Sequence, residues 1–558
     1  MKKLIPHLLQ LKNDEHLTSF EIEMAKFFKR RDSTFTENGL KAIVLAIHDE
    51  LNGNICVDLS ELEQHSLYKH LDFQFDSIKA LTQELEGIQS IGGVGEQTPF
   101  ILEGNRLYIQ KYWCYEVELV EWLLNKMKDI PKEQPVPIKV GEELDFQKVA
   151  IALSLSMNLL IISGGPGTGK TYTVKNILKQ LLHIDNDMKI ALTAPTGKAA
   201  ERLSESIEEL SDDIESMTVH RLLGANRKGE FRFNEDHQLP YDVVVVDEAS
   251  MLDLKMWIHL VRAIKKGTKL IVLGDKDQLS SVEAGSILGD ICFKADTGFS
   301  ETILNNELSS FVNLPMSDSN NLLNDHIVLL TKFYRASEHS GINELATAIN
   351  NQRLSEVKPL MSTLPSIEHQ EPSKGKIETL LANYVDEIIR GDMNTQILCS
   401  NRSGRLGVDA INDWIEKSMK QRYGLPVHRE WYKGRRIIIT RNDTSIGVRN
   451  GEVGTCFVHQ TGEYYLRFGP DKEIPITRLK DYKPAYAITI HKSQGSEYNS
   501  VIIMLSDYIN PVLTKELLYT GVTRARQNLL VISSNEVLDY CIENSIKRSS
   551  GLREKLLS

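Results

Sequence analysis

At residues 164–171 the sequence reads Gly164-Gly165-Pro166-Gly167-Thr168-Gly169-Lys170-Thr171, which matches the phosphate-binding loop pattern Gly-x-x-x-x-Gly-Lys-Thr at every fixed position. A short apolar run before it predicts a buried strand, and apolar residues at helical spacing from Lys170 onward predict a helix. The glycines let successive backbone N–H groups point inward, and the helix N-terminus adds positive potential. We therefore expect Lys170 to reach the β- and γ-phosphates and Thr171 to bind Mg²⁺. A plain glycine turn is the alternative, and the complete match disfavours it.

Two further predicted strands end in polar residues that suit phosphate chemistry. The four valines at 243–246 predict a buried strand that ends at Asp247 and Glu248. Asp247 would hold Mg²⁺ through water and Glu248 would polarise the attacking water, although two acids can also be a solvated strand end. The run at 270–273 predicts another strand, and Gln278 after it is placed to sense a γ-phosphate. Such strands, each followed by a functional loop, predict a doubly wound parallel sheet.

Four other positions are candidates for contacts with nucleotide or nucleic acid. Thr196 and Lys198 follow the strand predicted at 191–193, where they could hold a phosphodiester backbone or form an ordinary solvated loop. His220 lies in a loop-like segment and, taken alone, indicates a core histidine. Gln147 precedes the phosphate loop, and its paired donor and acceptor can read an adenine edge, although glutamine is usually a surface residue.

Composition excludes several classes of protein. The chain has 558 residues, which predicts about three or four domains, and its 41% hydrophobic and 25% charged content is that of a soluble globular protein. No apolar run approaches the ~20 residues that cross a bilayer, and the N-terminus does not resemble a signal peptide, so we expect a cytoplasmic protein. Six scattered cysteines without a Cys-x-x-Cys pair disfavour zinc, iron–sulfur and disulfide frameworks.

Charge restricts the kind of nucleic-acid contact the chain can make. The net charge is −11 and the pI is about 5.8, which argues against non-specific binding of nucleic acid by the whole surface. A local groove is not excluded, because binding depends on the charge where the backbone lies.

The pattern of elements predicts four segments. Residues 1–130 read as a helical domain without a catalytic motif, suited to docking or to a structural cap, and Pro131, Pro135 and Pro137 mark a linker. Residues 138–310 and 325–558 read as two α/β domains. Residues 425–483 read as a small β-barrel inserted into the second of them; its basic and aromatic residues suit a single strand, or form a solvated face with core aromatics.

The motifs occur in the order found in superfamily-one helicases: GGPGTGKT, DEAS, GDKDQL, Tyr334-Arg335, the run from Thr489 to Glu497, and YTGVTRAR. The longer runs APTGKAAERL, VHRLLG, VVVDEASMLDL, LGDKDQLSSVEAGSILGDIC and HKSQGSE resemble the RecD family, the α subunits of the RecBCD exodeoxyribonuclease V. The resemblance covers about residue 140 to the end and, more loosely, the N-terminal part. One departure is Gly521, where related proteins often carry alanine.

The resemblance implies a fold and a set of roles. The fold would be two RecA-like doubly wound parallel-sheet motor domains, a helical N-terminal domain and an SH3-like β-barrel insertion. ATP would bind with Mg²⁺ between the motor domains, and travel along DNA would be 5′-to-3′. By motif, Gln147 would read adenine, Lys170 and Thr171 would bind phosphate and metal, and Asp247 and Glu248 would act on metal and water. The γ-phosphate would contact Gln278, Arg335 and Arg524, with Gly495 and Glu497 completing the site. Strand contacts would come from Thr196, Lys198, His220, Arg436, Asn450, Thr489 and His491.

The same resemblance implies partners and leaves alternatives. The N-terminal domain would dock on RecC, with RecB as the third subunit, in a complex that processes double-strand DNA ends for recombinational repair and degrades foreign linear DNA. A stand-alone RecD-two-type helicase is one alternative, although its helix–hairpin–helix repeats have no counterpart before residue 130. An ATP-switched regulatory subunit that does not itself unwind DNA is another. We see no cluster of acids with a lysine that would hold two metals, so nuclease activity is expected to belong to the complex.

Overall fold

The computed structural model describes residues 4–129, 145–207, 209, 214–226, 228–281, 283–311, 313–334, 341–392, 394–469 and 472–557. These residues form four β-sheets: one small N-terminal sheet, two large parallel sheets and one small antiparallel sheet. The predicted linker prolines and Arg335 lie outside the described residues. Within that part of the chain, every helix is too short or too polar to cross a bilayer.

The N-terminal region combines helices with a small sheet in the strand order β1-β4-β3-β2. Its helices are α1 (Leu4–Asn13), α2 (Ser19–Arg31), α3 (Glu37–Leu51), α4 (Tyr68–Leu71), α5 (Ile78–Glu86) and α6 (Gln110–Met127), and its strands are β1 (Cys56–Asp58), β2 (Ile91–Gly92), β3 (Phe100–Glu103) and β4 (Arg106–Ile109). The prediction of a helical domain was therefore incomplete. Strands of two to four residues are too short for a period-two pattern to stand out from the sequence.

The first large sheet is parallel throughout, in the order β10-β5-β9-β8-β6-β7. Its strands are β5 (Leu159–Gly164), β6 (Ile190–Ala194), β7 (Glu215–Thr218), β8 (Val243–Val246), β9 (Lys269–Gly274) and β10 (Ile327–Leu330). The accompanying helices are α7 (Phe146–Ser156), α8 (Lys170–Ile184), α9 (Gly197–Ile207), α10 (Val219–Leu222), α11 (Leu254–Ala263), α12 (Ile287–Ile291) and α13 (Glu301–Asn305). Apolar cores cover both faces, which explains why its strands other than the polar edge strand β7 are largely continuous apolar runs rather than alternating ones. We call this sheet with its helices the first half.

Strand β10 corrects one predicted boundary. Ile327 to Leu330 pair in parallel with residues 161–164 of β5, so this strand is an edge of the first sheet. The second domain was predicted to begin at residue 325, which is too early. A four-residue apolar run after a long polar loop carries no local signal of which sheet it joins.

The second large sheet is also parallel, in the order β11-β20-β19-β12-β18. Its strands are β11 (Ile367–Gln370), β12 (Thr395–Cys399), β18 (Ala487–Thr489), β19 (Tyr498–Met504) and β20 (Ala525–Ile532). Its helices are α14 (Ile342–Asn350), α15 (Leu354–Thr363), α16 (Lys374–Arg390), α17 (Val408–Arg422), α18 (Lys515–Val522) and α19 (Asn535–Glu543). Alternate residues of its strands enter two cores, one on each face. With the insertion described next, we call it the second half; the two sheets confirm the predicted pair of RecA-like domains.

The insertion is an antiparallel sheet in the order β16-β15-β14-β13-β17. Its strands are β13 (Arg436–Ile439), β14 (Val453–Val458), β15 (Tyr464–Phe468), β16 (Lys472–Pro475) and β17 (Tyr482–Pro484). It has an apolar core of its own that includes Ile437, Leu466 and Phe468. The β character predicted for residues 425–483 is confirmed, and in the described residues the outer strands β16 and β17 do not pair with each other.

The C-terminal tail, residues 544–557, leaves the second half and returns to the rest of the molecule. Its helix α20 (Leu552–Leu557) buries Leu552 and Leu556 in a core of the first half, beside α6 and α12. The backbone N–H of Ile55 donates to the carbonyl of Ser549 at 2.9 Å. The prediction that the second domain runs to residue 558 was therefore wrong for the tail, whose partners lie hundreds of residues away in sequence.

Candidate functional site

A cavity of about 370 Å³ lies between the two halves, at the carboxyl ends of the strands of the first sheet. Both halves line it, as the sequence predicted for a nucleotide bound between two domains. The lining residues are Gly165, Pro166, Gly167, Gly169, Lys170, Thr171, Ala199, Arg202, Leu203, Asp247, Glu248, Gln278, Tyr334, Gly495, Glu497 and Arg524.

The phosphate loop joins β5 to α8 and takes the backbone shape that its glycines allow. Gly167 and Gly169 have φ angles of 87° and 84°, in the left-handed region that side chains disfavour. A Cβ on Gly169 would lie 2.1 Å from Gln147 Nε2, so no larger residue fits there without displacing that amide. Lys170 Nζ donates to the carbonyls of Gly164 and Gly165. The lysine thus lies over the loop that would hold the phosphates of the nucleotide.

The acid pair follows β8 directly. Burial, together with the charge of Glu248, raises the pKa of Asp247 to about 6 despite the opposing charge of Lys170. Asp247 Oδ1 accepts from the backbone N–H of Glu248 at 2.8 Å. Glu248 itself has a φ of 52°, a conformation that is uncommon for a residue with a side chain and that tends to occur at functional sites. These features place two carboxylates beside Lys170 in the cavity.

Gln278 is buried in the wall of the cavity with half of its amide unused. Its Nε2 donates to Asp275 Oδ2 at 3.0 Å, while its Oε1 has no hydrogen-bond partner among the described residues. An unsatisfied buried carbonyl oxygen costs about 1–3 kcal/mol unless something donates to it. Gln278 therefore keeps one buried acceptor without a partner in the wall of the cavity, among the described residues.

Arg524 reaches the same cavity from the loop between α18 and β20 of the second half. Only 2% of the residue is exposed, and its Nε and Nη1 donate to the carbonyls of Thr520 and Ser496 at 3.0 and 3.1 Å. Within the described part of the chain, its Nη2 has no partner and no carboxylate forms an ion pair with it. A buried cation without a counter-charge is costly, and a bound phosphate would compensate it.

Four other residues, two predicted for the site and two not, line the cavity. Gly495 has a φ of 69°, and Glu497 accepts from Arg526 at 3.0 Å; both had been predicted for the site. Tyr334 and Arg202 were not among the predicted site residues, although Tyr334 adjoins Arg335, which was predicted. Arg202 lies four residues after Lys198 on α9, so helical spacing could have placed it near the predicted loop.

Gln147 lies against the phosphate loop rather than in the cavity wall. Its Nε2 donates to the Thr168 carbonyl at 3.0 Å, and the residue is buried. One of the two groups that would read adenine is thus committed to the loop in this structure. Its role in adenine recognition stays a prediction.

The loop at Thr196 meets both the second half and the insertion. Arg449 Nη1 donates to the carbonyl of Gly197 at 3.2 Å, and Lys198 Nζ lies 5.9 Å from the ring centre of Tyr498. Burial, with nearby Arg202 and Arg436, lowers the pKa of Lys198 to about 8. Asn450, next to Arg449, is exposed. The structure thus brings together Thr196, Lys198 and Asn450, three of the predicted strand contacts.

Two predicted histidines lie near charged residues of the tail and the first half, Arg548 and Glu283. Burial and the charge of Arg548 lower the pKa of His491, which follows Thr489 after β18. Arg548 Nη1 donates to the carbonyl of Glu283, and the charge of Glu283 partly offsets the burial that lowers the pKa of His220. Each half therefore contributes one histidine to this region.

Arg436 occupies a different environment from the other predicted strand contacts. It is buried, and its guanidinium donates to Tyr384 Oη, the Thr395 carbonyl and Gln396 Oε1 at 3.2, 3.4 and 3.0 Å. These bonds join the insertion to the second sheet, so the geometry gives Arg436 a structural role and no support as a DNA contact.

Three family models match the chain. One, described as the N-terminal domain of the RecBCD enzyme subunit RecD, matches residues 13–108. An AAA domain matches residues 147–284, and a UvrD-like helicase C-terminal domain matches residues 484–532.

Among relatives, the RecBCD enzyme subunit RecD of Buchnera aphidicola subsp. Acyrthosiphon pisum is 33% identical over 82% of this chain and 85% of that protein. The ATP-dependent RecD2 DNA helicase of Deinococcus radiodurans is 29% identical over 72% of this chain but only 50% of that protein. A solved structure of Pif1 helicases at forked DNA covers 71% of this chain at 20% identity, with a TM-score of 0.40.

Proposed function

This chain belongs to the RecD family of RecBCD enzyme subunits, and we propose that it works as the 5′-to-3′ motor of a RecBCD-type helicase–nuclease. Membership of the family makes it an ATP-dependent DNA helicase. The fuller proposal is that it helps to process double-strand DNA ends for recombinational repair, and to degrade foreign linear DNA, together with RecB and RecC.

The observation that carries the motor function is the unpaired Nη2 of Arg524 in a cavity that also holds the phosphate loop. Arg524 belongs to the second half and Lys170 to the first. A triphosphate held by both would join the halves, and hydrolysis would release that link. Charge stabilisation by an arginine in this position is typically worth about 10³–10⁵ in rate.

The residues around the cavity divide the chemistry among them. Lys170 binds the β- and γ-phosphates, and Thr171 and Asp247 would hold Mg²⁺, which neutralises charge on the phosphate oxygens. Glu248 accepts the proton of the attacking water as its oxygen bonds to the γ-phosphorus and the bond to ADP breaks. We assign Arg335 a γ-phosphate contact only by its motif. Tyr334, partly exposed in the wall, offers an aromatic face to the base.

We assign the grip on a DNA strand to loops from both halves. Thr196, Lys198 and Asn450 lie together at the junction with the insertion, while His491 lies near Arg548 and His220 near Glu283. Alternate closing and opening of the cleft would move one set relative to the other. That relative motion is what converts hydrolysis into travel along DNA.

The N-terminal region is the part we assign to docking on RecC. The match of residues 13–108 to the RecD N-terminal model supports this, as does the lack of catalytic residues there. A stand-alone helicase is disfavoured because residues 13–108 match the N-terminal domain model of the RecBCD enzyme subunit RecD. The other alternative is a regulatory subunit that does not itself unwind DNA, and the experiment below distinguishes it from a motor.

The test is ATP hydrolysis and unwinding by the purified chain on duplexes with a 5′ or a 3′ single-stranded tail, with Lys170→Gln as control. We expect DNA-stimulated hydrolysis and unwinding from the 5′ tail alone, both lost in the variant. Hydrolysis without unwinding, unchanged when RecB and RecC are added, would support the regulatory alternative. Unwinding from the 3′ tail would contradict the assigned direction.

A further inference from the structure

The loop after β9, residues 275–279, belongs to the first half but is held by the second. The Tyr519 hydroxyl donates to Asp275 Oδ2 at 2.9 Å. The backbone N–H of Leu279 donates to Thr520 Oγ1 at 3.0 Å, and Gln494 Nε2 donates to the Leu279 carbonyl at 2.9 Å. Three hydrogen bonds between the halves thus meet on five residues, beside the nucleotide cavity.

One of these bonds continues to the cavity wall. Asp275 Oδ2 accepts from both Tyr519 and Gln278 Nε2, and Asp275 Oδ1 accepts from the backbone N–H of Asp277 at 3.1 Å. Because Nε2 of Gln278 is committed to Asp275, its Oε1, a buried oxygen of a cavity-lining residue, is left without a partner among the described residues. Asp275 therefore decides which end of the Gln278 amide is available to the cavity.

We propose that Tyr519 is a positioning residue for ATP hydrolysis, which fixes the Gln278 amide through Asp275 so that Oε1 accepts a hydrogen from the attacking water. The bond from Tyr519 forms only when the second half lies against the first. Gln278 would then hold the water correctly in the closed cleft and lose its orientation in the open one. This inference rests on the proposed function, because the amide has a water to hold only if the cleft hydrolyses ATP.

Packing around Tyr519 supports a role beyond filling space. The residue is buried, and a Cβ on Gly165 would lie 2.9 Å from its hydroxyl oxygen, so the phosphate loop passes directly beside it. Burial and the charge of Asp275 raise the pKa of Tyr519, which keeps the hydroxyl a donor. Its hydroxyl thus bonds to the loop after β9 and lies beside the phosphate loop, both in the first half, from a helix of the second.

The test compares Tyr519→Phe with the wild-type chain in steady-state ATP hydrolysis with single-stranded DNA. Phenylalanine keeps the ring and removes only the hydroxyl. We expect kcat to fall about 10-fold, the equivalent of one hydrogen bond to a charged group, with KM for ATP within about twofold. Tyr486→Phe is the matched control, because that buried hydroxyl pairs with Tyr432 inside the second half.

A double-mutant cycle with Gln278→Ala distinguishes positioning from loss of stability. If Tyr519 acts through Gln278, adding Tyr519→Phe to Gln278→Ala changes kcat by less than about twofold. Additive losses, or a wild-type kcat in Tyr519→Phe while the wild-type chain hydrolyses ATP, would overturn this inference alone. A wild-type chain with no hydrolysis would overturn the proposed function and this inference with it.

Discussion

The nucleotide cleft and the C-terminal tail both connect the second half of the chain to the first, with opposite chemistry. In the cleft, hydrogen bonds cross between the halves without an ion pair among the described residues, and Gln278 Oε1 and Arg524 Nη2 are left without partners there. In the tail, Lys555 pairs with buried Glu116 at 2.8 Å and Arg553 pairs with buried Asp290 at 2.6 Å. The first connection lies beside a cavity and the second is part of a core.

The energies of the two kinds of contact explain what each can do. A neutral hydrogen bond contributes about 0.5–1.5 kcal/mol net, because water replaces it when it opens. Removing one partner of a buried ion pair costs about 3–5 kcal/mol, because the other charge stays behind unpaired. The cleft can therefore open and close with the nucleotide while the tail keeps the halves tethered.

The largest expected difference is in catalysis. Arg524→Ala should lower the kcat for DNA-stimulated ATP hydrolysis by roughly 10³-fold, because it removes the phosphate contact from the second half. Arg553→Ala removes an arginine of the tail and should leave kcat within about twofold while lowering stability. Steady-state kinetics on both variants measures this, and equal losses of kcat would break the comparison.

The next effect is on stability. Glu116 accepts from Lys555, Gly551 and Tyr108 in the core beneath the tail. Glu116→Ala should lower the free energy of unfolding by about 3–5 kcal/mol, measured by urea denaturation. Glu118→Ala is its matched control: it breaks a partly exposed pair with Arg262 and should cost about 0–1 kcal/mol. A Glu116 variant no less stable than the Glu118 variant would contradict a structural role for the tail.

The smallest expected effect is on the pH dependence of stability. Replacing the aspartates at the two ends of β8 should change it in opposite directions. The pKa of Asp247 in the folded chain, about 6, lies above its ordinary value, so its stabilising contribution is lost as pH rises through 6. Asp247→Asn, free of nucleotide and metal, should gain about 1–3 kcal/mol over wild type at pH 8 and almost nothing at pH 3, below the pKa of the unfolded chain. Thermal unfolding against pH measures the gain.

Asp242, at the other end of the strand, supplies the control. Burial raises the pKa of Asp242, but hydrogen bonds from the Lys189 backbone and from Lys265 outweigh that effect. The net result is a pKa below the ordinary value. Asp242→Asn should therefore lose stability relative to wild type as pH rises. The same sign for both variants would contradict the electrostatic account of the cleft.

Sequence predicted the cleft well because its chemistry is local. The phosphate loop, Asp247 with Glu248, and Arg524 each follow a short apolar strand or sit in a motif, and all line one cavity. The sequence did not predict contacts between residues that lie far apart along the chain. Strand β10 joins β5 from more than 160 residues away, and the tail pairs with Glu116 across more than 430 residues, so no local pattern records either contact. The buried role of Arg436 is of the same kind, since a basic residue in a strand does not reveal its partners.

The central claim is that a triphosphate, held by Lys170 from one half and Arg524 from the other, closes the cleft. Energy transfer between dyes at Lys179→Cys and Lys376→Cys, exposed residues of α8 and α16, measures closure directly in a chain whose exposed Cys114 is changed to serine. The account predicts a change in transfer efficiency with a non-hydrolysable ATP analogue, none with ADP, and none with the analogue in Arg524→Ala. An equal change with ADP, or a full change without Arg524, would contradict it.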